Sequence, residues 1–219
     1  YEICACLVGS EMCIRDSLTT GSAIYFMKHV LGNGSLLGLF SMMKMFPVII
    51  ALIFTPILVK KTGSMQKVNF WGYVISDILG IFLIIFAMQK NLPMMLLFMF
   101  LKGTFAGTMS GTLNALIAEI SGYTYRTKGV HIDGMMFSCS SLGVKVGGGI
   151  GTAAVGWLLH AAGYAGKAAT QTAAATNMIF SMYITIPVIL GVVITILLGL
   201  MKVEKENKRI DMERAEQAD

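Results

Sequence analysis

Five apolar stretches, each long enough for a helix that crosses the hydrocarbon of a lipid bilayer, constrain the fold of this chain more than any other feature. Such a helix needs about 20 predominantly apolar residues. The stretches are residues 36–59, 68–88, 92–120, 135–161 and 177–201. In lipid, every backbone polar group needs a partner within the chain, which a helix provides and an open sheet does not. The sequence therefore predicts an all-α integral membrane fold.

Composition favours lipid over water as the surroundings of these stretches. Of the 219 residues, 55% are hydrophobic and only 13% are charged, whereas soluble domains average about 25% charged residues. One soluble core of this size could not hide so much apolar surface. We therefore expect the lipid bilayer to be a principal partner of the chain.

The sequence carries no pattern that indicates an enzyme. It has no recognisable Ser/His/Asp set and no set of metal ligands. The glycine-rich stretch 147–151 lacks the preceding strand and the Lys-Ser/Thr pair of a phosphate loop. The basic residues lie mostly in loops, where membrane topology accounts for them. We therefore predict no catalytic residue, no metal, no cofactor and no nucleic-acid partner.

Residues 1–17 need an interpretation of their own. Residues 6–17, CLVGSEMCIRDS, resemble the conceptual translation of a transposase adapter used in DNA sequencing libraries. We therefore predict that residues 1–17 are not native and that the native chain is truncated. Residues 18–31 are then the end of a helix whose start is missing, since they are too short to cross the bilayer alone. The alternative is a native start with a cysteine cluster, although its spacing matches no zinc template.

The loops between the stretches differ in charge. One set, with the tail 202–219, holds nine lysines and arginines, whereas the opposite set holds three. Cytoplasmic loops carry the excess of basic residues, so we predict a multi-pass protein of the cell membrane with a cytoplasmic C-terminus. The richer set is Lys60, Lys61, Lys67, Arg126, Lys128, Lys202, Lys205, Lys208 and Arg209, and the poorer set is Lys28, Lys90 and Lys167.

Four charged residues interrupt the apolar stretches near their middles: Lys44, Asp77, Lys102 and Lys145. A charge at the centre of a membrane helix costs about 2.5–3.5 kcal/mol even on the lenient insertion scale, and it commonly marks a functional site. A structural ion pair between Asp77 and one lysine is the alternative, but it leaves the other lysines without a partner. We therefore predict that these residues contribute to a substrate or cation site.

Lys145 has the most informative neighbours. Gly143, Gly147 and Gly151 recur every four residues, a spacing that suits close contact between membrane helices. Glycines also weaken a helix intrinsically, so a flexible, tightly packed helix that carries a buried charge suits a moving part of the protein. The alternative is a packing helix in which the lysine is tolerated.

Residues 123–145, YTYRTKGVHIDGMMFSCSSLGVK, resemble a loop and the following helix of the glycoside–pentoside–hexuronide:cation symporters. These are sugar transporters of the major facilitator superfamily and include the melibiose permease. The predicted cytoplasmic-loop motif consists of Tyr123, Lys128, Gly129, Asp133 and Gly134, with Lys145 in the next helix. His131 and Gly122 depart from the usual pattern, in which an Arg and an acidic residue stand at these places.

The resemblance extends over residues 18–201 and implies the C-terminal half of a twelve-helix transporter, from the end of helix seven to helix twelve. Such proteins couple the uptake of a sugar or glycoside to H⁺ or Na⁺ by alternating access. In the family, the cation-binding acids lie mainly in the N-terminal half, so that missing half is an implied partner. The lysine that Lys145 matches lies near the sugar and cation site.

Three mid-span lysines favour an anionic sugar, such as a uronide, over a neutral glycoside. Two other classes of protein stay open. A non-transporting membrane scaffold or sensor of the same fold predicts that the mid-span charges pair internally and tolerate apolar replacement. A membrane-embedded enzyme predicts a catalytic set of residues, for which the sequence gives no indication.

Overall fold

The computed structural model describes residues 2–168 and 170–200, together with 206, 207, 209 and 212, and it gives the side chains from residue 7 onward. Most of the predicted tail 202–219 therefore lies outside the described residues. Within them, the chain is almost entirely helical and contains no strand. The all-α membrane fold predicted from the apolar stretches is confirmed.

The helices follow one another with short connections. They are α1 (Glu2–Tyr25), α2 (Leu36–Thr62), α3 (Met65–Met88), α4 (Leu92–Ala106), α5 (Thr108–Lys128), α6 (Asp133–Ala161), α7 (Ala173–Phe180) and α8 (Ile186–Leu200). A π-helical segment, Phe26–Val30, continues α1, and a second one, Ser181–Thr185, joins α7 to α8. The described residues thus form six long helical units, five of which are long and apolar enough to cross a membrane.

The third predicted stretch is longer and less regular than its sequence indicated. Helices α4 and α5 form one continuous unit over residues 92–128, with a local break at Gly107. The sequence predicted that the third stretch ends at residue 120, whereas the helix continues to Lys128. The polar residues of this segment continue the helix, which ends where Gly129 adopts the left-handed conformation (φ 70°) and its N–H binds the carbonyl of Tyr125. Glycine adopts that conformation without steric cost.

Helix α1 occupies residues on both sides of position 17. The sequence predicted only the end of a helix from residue 18, whereas the structure shows helix from Glu2 to Tyr25. The helical conformation does not test whether residues 1–17 are native, so their origin stays a prediction.

Glycines allow α1 and α6 to approach each other closely. A β-carbon on Gly147 would lie 2.6 Å from the carbonyl oxygen of Ser10, and one on Gly151 would lie 2.8 Å from that of Ile14. Both distances are too short for any larger residue. The predicted contact role of these two glycines in α6 is confirmed.

The two π-helical segments meet in the interior. Phe26 of the first stacks on Tyr183 of the second, with ring centroids 4.4 Å apart. Both residues belong to an apolar core that also includes Met27, Met95 and Ile179. Many large apolar side chains point outward instead, as Met45 and Trp157 do at 69% and 70% exposure, and such a surface suits contact with lipid.

Candidate functional site

The structure brings three of the four predicted intramembrane charges into one region and leaves the fourth apart. Lys44 and Lys102 line one cavity, and Asp77 interacts electrostatically with Lys102. Lys145 is exposed on a different helix. The region is therefore built from α2, α3 and α4, to which α1 and α8 contribute further groups.

The cavity that holds both lysines has a volume of about 110 Å³. Its polar lining consists of Arg15, Asp16 and Thr19 from α1, Lys44 from α2, Lys102 from α4 and Tyr183 from the second π-helical segment. The remaining lining residues are Leu83, Met99, Gly103, Ala106 and Pro187. Converging polar groups on a mostly apolar wall are typical of small-molecule sites.

A second, larger cavity of about 610 Å³ adjoins the first. It shares Thr19, Lys44 and Tyr183 with the first cavity and adds Thr20 and Ser41. Hydroxyl groups and an ammonium group are suitable hydrogen-bonding partners for the hydroxyl groups of a sugar.

Lys44 is held at the boundary of these cavities. Its Nζ donates a hydrogen bond to Oγ1 of Thr20 (3.0 Å) and lies 3.9 Å from Oδ1 of Asp16. The lysine side chain is 40% exposed, so a molecule in either cavity can reach it. Its second partner belongs to residues 1–17, whereas the bond to Thr20 lies within the predicted native part.

Asp77 is buried between α3 and α8, with 9% of its surface exposed. Thr195 Oγ1 donates a hydrogen bond of 2.6 Å to its Oδ2. A β-carbon on Gly191, one turn before Thr195, would overlap Oδ1 of Asp77. Gly191 and Thr195 therefore lie on the face of α8 that contacts the carboxylate of Asp77. Gly191 leaves room for this group, and Thr195 donates a hydrogen bond to it.

The side chain of Lys102 extends from α4 toward the part of α3 that carries Asp77. Its Nζ lies 3.4 Å from the position that a β-carbon on Gly80 would take, and Gly80 lies one turn after Asp77 on α3. The same side chain lines the smaller cavity. Lys102 thus connects the buried carboxylate to the space that a ligand can enter.

Lys145 lies on the face of α6 that turns away from α1. Two positions along a helix correspond to a rotation of about 200°, which separates Lys145 from the contact glycine Gly147. Its neighbours Leu142 and Val146 are exposed at 64% and 49%. The residue lines neither of the two cavities described above, and its predicted site role is untested.

The predicted loop motif surrounds the short connection between α5 and α6. Tyr123 and Lys128 lie in α5, Gly129 ends that helix, and Asp133 begins α6. At this turn, His131 stacks on Tyr125 with a centroid distance of 3.9 Å, and its Nδ1 lies 3.9 Å from Oδ2 of Asp133. Gly134 is exposed, and a β-carbon there would meet no atom within 4 Å. A role for this motif beyond the turn stays a prediction.

At the opposite end of the helices, the segment after α6 contacts the end of the first unit. His29 Nε2 and the Tyr164 hydroxyl oxygen lie 3.2 Å apart in a hydrogen bond. The Tyr164 ring also meets Tyr25 edge-on at a centroid distance of 5.2 Å. Burial raises the pKa of Tyr164, which lies outside the helices.

Sequence reasoning missed Thr195, Tyr183 and the two glycines beside the charges, Gly80 and Gly191. The spacing of Gly191 and Thr195 at i and i+4 on a very apolar helix is the only signal that could have indicated a polar contact face. Among the described residues, no group of three or more His, Cys, Asp and Glu could hold a metal ion.

Comparison with known proteins assigns the chain to a family. Residues 10–205 match the family model described as MFS/sugar transport protein. The chain belongs to this family. It is a family of multi-pass membrane transporters rather than enzymes, and the resemblance to sugar symporters noted from residues 123–145 is confirmed.

Three curated relatives are similar at low identity. The isoprimeverose transporter of Lactiplantibacillus pentosus is 27% identical over 182 residues, which are 83% of this chain and 37% of that protein. A protein of Escherichia coli named "Putative glycoside/cation symporter YagG" is 24% identical over 205 residues, 91% and 44% of the two chains. The uncharacterized 29.9 kDa protein in the crtE 3' region of Pseudescherichia vulneris is 26% identical over 174 residues, 78% and 62%. The chain thus spans 37–62% of the length of these relatives.

Proposed function

We propose that this chain is the C-terminal six-helix half of a secondary transporter that couples the uptake of a sugar or glycoside to H⁺ or Na⁺. The missing half would carry six further helices, and the two halves would rock about a site near the bilayer midplane. The family match and the shorter length of the chain relative to its relatives support this proposal.

The observation that carries the proposal is the convergence of Lys44 and Lys102 on cavities within the membrane-spanning helices. A protein with a purely structural role gains nothing from placing ammonium groups at the wall of a space inside its apolar helices, since each charge is costly there. A sugar offers oxygen atoms that accept hydrogen bonds from ammonium and hydroxyl donors. The hydroxyl groups of Thr20 and Ser41 add donors of the second kind.

We further propose that the sugar is anionic, such as a uronide. Lys44 and Lys102 face the same cavity, and Asp77 lies behind Lys102 rather than in the lining. A carboxylate on the sugar would therefore meet two ammonium groups without an equal number of acidic side chains from residues 18–200. Lys145 would face the other half of the transporter across the central pathway, where its exposed position on α6 leaves it accessible.

The proposed orientation places the loops before α3 and between α5 and α6, together with the C-terminus, in the cytoplasm. The excess of Lys and Arg in these segments supports it. The transporter would then lie in the cell membrane, with the connections that carry Lys90 and Lys167 outside.

Uptake assays on the full-length gene, expressed in cells that lack transport of the tested sugars, would examine the proposal. The panel would contain isoprimeverose, methyl β-D-xyloside and methyl β-D-glucuronide, each offered with and without Na⁺ and with and without a protonophore. We expect concentrative uptake that depends on one of the two ions. Preference for a neutral glycoside over the glucuronide would refute the anionic substrate while leaving transport intact.

Substitution of the lysines would separate transport from a scaffold or sensor role. We expect Lys44→Ala and Lys145→Ala to reduce uptake at least tenfold, with Lys167→Ala in an exposed loop as the matched control. Normal expression but no uptake of any sugar by the unaltered protein would favour the non-transporting class. Unchanged uptake by Lys145→Ala would remove that residue from the site.

A further inference from the structure

A further cavity lies at the end of the helices where Lys90 connects α3 to α4. This Lys90 cavity has a volume of about 360 Å³, and it shares no lining residue with the two cavities that hold Lys44. We propose that the Lys90 cavity binds the phosphate group of an anionic phospholipid. The site is separate from the proposed sugar site and does not depend on transport.

The Lys90 cavity lies at the level of the membrane surface. Lys90 stands between Met88, where α3 ends, and Leu92, where α4 begins, and Leu36 begins α2 beside them. The helices α2 and α3 and the unit α4–α5 are each long and apolar enough to cross a membrane. The ends that they share therefore lie where the hydrocarbon of a bilayer meets its headgroups. The phosphate groups of phospholipids lie at this level.

The backbone of Lys90 adopts a conformation that favours glycine. Its φ is 53°, its N–H binds the carbonyl of Ala87, and the N–H of Asn91 binds the carbonyl of Phe86. These two bonds end α3 in the usual way, with the left-handed residue directly after the helix. An L side chain is disfavoured in that conformation, and such strain is typical of functional positions. Glycine takes the corresponding place after α2, α5 and α6, at Gly63, Gly129 and Gly163. The turn itself therefore does not require the lysine side chain.

The connections at this end of the helices carry positive charge alone. Residues 24–35, 88–92 and 162–172 contain Lys28, Lys90 and Lys167 but no Asp or Glu. Lys90 and His29 line the cavity, and Lys28 interacts electrostatically with His29. These segments do not balance their own charge, and a concave surface lined by one sign of charge attracts the opposite one. The Lys90 cavity therefore favours an anion.

The polar side of the cavity offers donors for phosphate oxygens. The Lys90 ammonium supplies up to three N–H groups. His29 Nε2 lies 3.2 Å from the Tyr164 hydroxyl oxygen in a hydrogen bond, so Nδ1 is the ring nitrogen that a ligand can use. It donates in the imidazolium and in one neutral tautomer. Hydrogen bonds from a cation to a phosphate are short and strong. A phosphate diester has two free oxygens, one for each of these side chains.

The apolar side of the cavity favours a lipid over a soluble phosphate. Leu31, Leu36 and Leu92 form this side and pack against the apolar core below it. Leu39, one turn further along α2, is 38% exposed, and Met88 at the end of α3 is 72% exposed. A phosphate ion gains nothing from such a wall, whereas acyl chains lose contact with water there. Basic pockets between membrane helices bind lipid headgroups in this way.

Native mass spectrometry of the full-length protein in detergent would test the site. The protein would be titrated with dioleoyl phosphatidylglycerol and, separately, with dioleoyl phosphatidylcholine, whose ammonium group opposes Lys90. We expect the first bound phosphatidylglycerol to bind at least tenfold more tightly than phosphatidylcholine. Lys90→Gly should weaken phosphatidylglycerol binding at least tenfold and yet raise the unfolding temperature in lipid-free detergent, because glycine relieves the left-handed backbone. His29→Gln should also weaken that binding.

Two variants control for charge and for folding. Lys167→Gln removes a positive charge at the same end, but it is exposed and does not line the cavity, so its affinity for phosphatidylglycerol should stay within twofold. Lys90→Gln keeps a long side chain on the same backbone and should bind as weakly as Lys90→Gly, which provides the test if the glycine variant does not fold.

Three results would overturn the proposal. The first is unchanged phosphatidylglycerol affinity in the Lys90 and His29 variants, and the second is equal affinity for the two lipids. The third is binding of glycerol 3-phosphate as tight as that of phosphatidylglycerol, which would assign the cavity to a soluble phosphate. Absence of sugar uptake would refute the proposed function and would leave the lipid measurement unaffected.

Discussion

The contact between Gly191 and Asp77 leads to a quantitative prediction. In Gly191→Ala, the new methyl group overlaps the carboxylate oxygen, and the next turn of α8 carries the hydroxyl that holds this carboxylate. The carboxyl group must move by roughly 1 Å to reach an ordinary van der Waals distance. Such a shift breaks or lengthens the bond from Thr195, which is 2.6 Å long.

The expected loss follows from three contributions. Overpacking costs about 1–3 kcal/mol, and a hydrogen bond to a charged group contributes about 1.5–3 kcal/mol. These two costs overlap, because the same displacement relieves the first and causes the second. Alanine in a helix regains about 0.5–1 kcal/mol relative to glycine. We therefore expect a net destabilisation of about 1–3 kcal/mol.

Thermal unfolding of the full-length transporter in detergent, followed by intrinsic fluorescence, would measure this effect. Gly156→Ala is the matched control, because a β-carbon there meets no atom within 4 Å, and it should unfold at the same or a higher temperature. In an Asp77→Ala background, the Gly191→Ala substitution should cost little, since its partner is gone. Equal costs of Gly191→Ala in both backgrounds would refute the contact as the cause.

Three further predictions concern other parts of the molecule. Thr112→Val should destabilise the protein by about 1–3 kcal/mol, because it leaves the buried Asn69 side chain without the partner at 2.7 Å, whereas Thr152→Val on an exposed face should change the unfolding temperature little. Tyr164→Phe should cost about 0.5–1.5 kcal/mol through loss of its bond to His29; an unchanged unfolding temperature would show that this bond is not maintained. Single cysteines at Lys90 and Lys61, introduced after replacement of the existing cysteines, should differ in labelling of intact cells by a membrane-impermeant maleimide. Only the first should react, and the reverse pattern would invert the proposed topology.

The length of the apolar stretches alone predicted the five helices that are long enough to cross a membrane, because a membrane helix needs a long run of apolar residues. It did not predict the break at Gly107, where a β-carbon would lie 2.8 Å from the β-carbon of Ala51 on α2. That break depends on which helix packs against it. The extension of α5 to Lys128 could not be predicted from apolar length, because its last turns are polar and polar residues occur in loops as well as in helix ends.

The site was partly predictable for a physical reason. Asp77 and Lys102 could be selected because a charge in an apolar stretch is costly wherever it points. Thr195 could not, because a threonine in a membrane helix usually binds its own backbone, and its contact with Asp77 spans 118 positions of the chain. Only the packing of α3 against α8 brings the two residues together.

The π-helical segment Ser181–Thr185 has a consequence for the helix that follows it. A π turn holds one residue more than an α turn, so every residue beyond it lies about 100° behind the angular position it would have in an uninterrupted α-helix. Thr195 and Gly191 lie beyond this segment, whereas Ile179 lies before it. The extra residue therefore rotates α8 relative to α7. As a result, α7 directs Ile179 into the core around Phe26, whereas α8 directs Thr195 toward the carboxylate of Asp77 on α3.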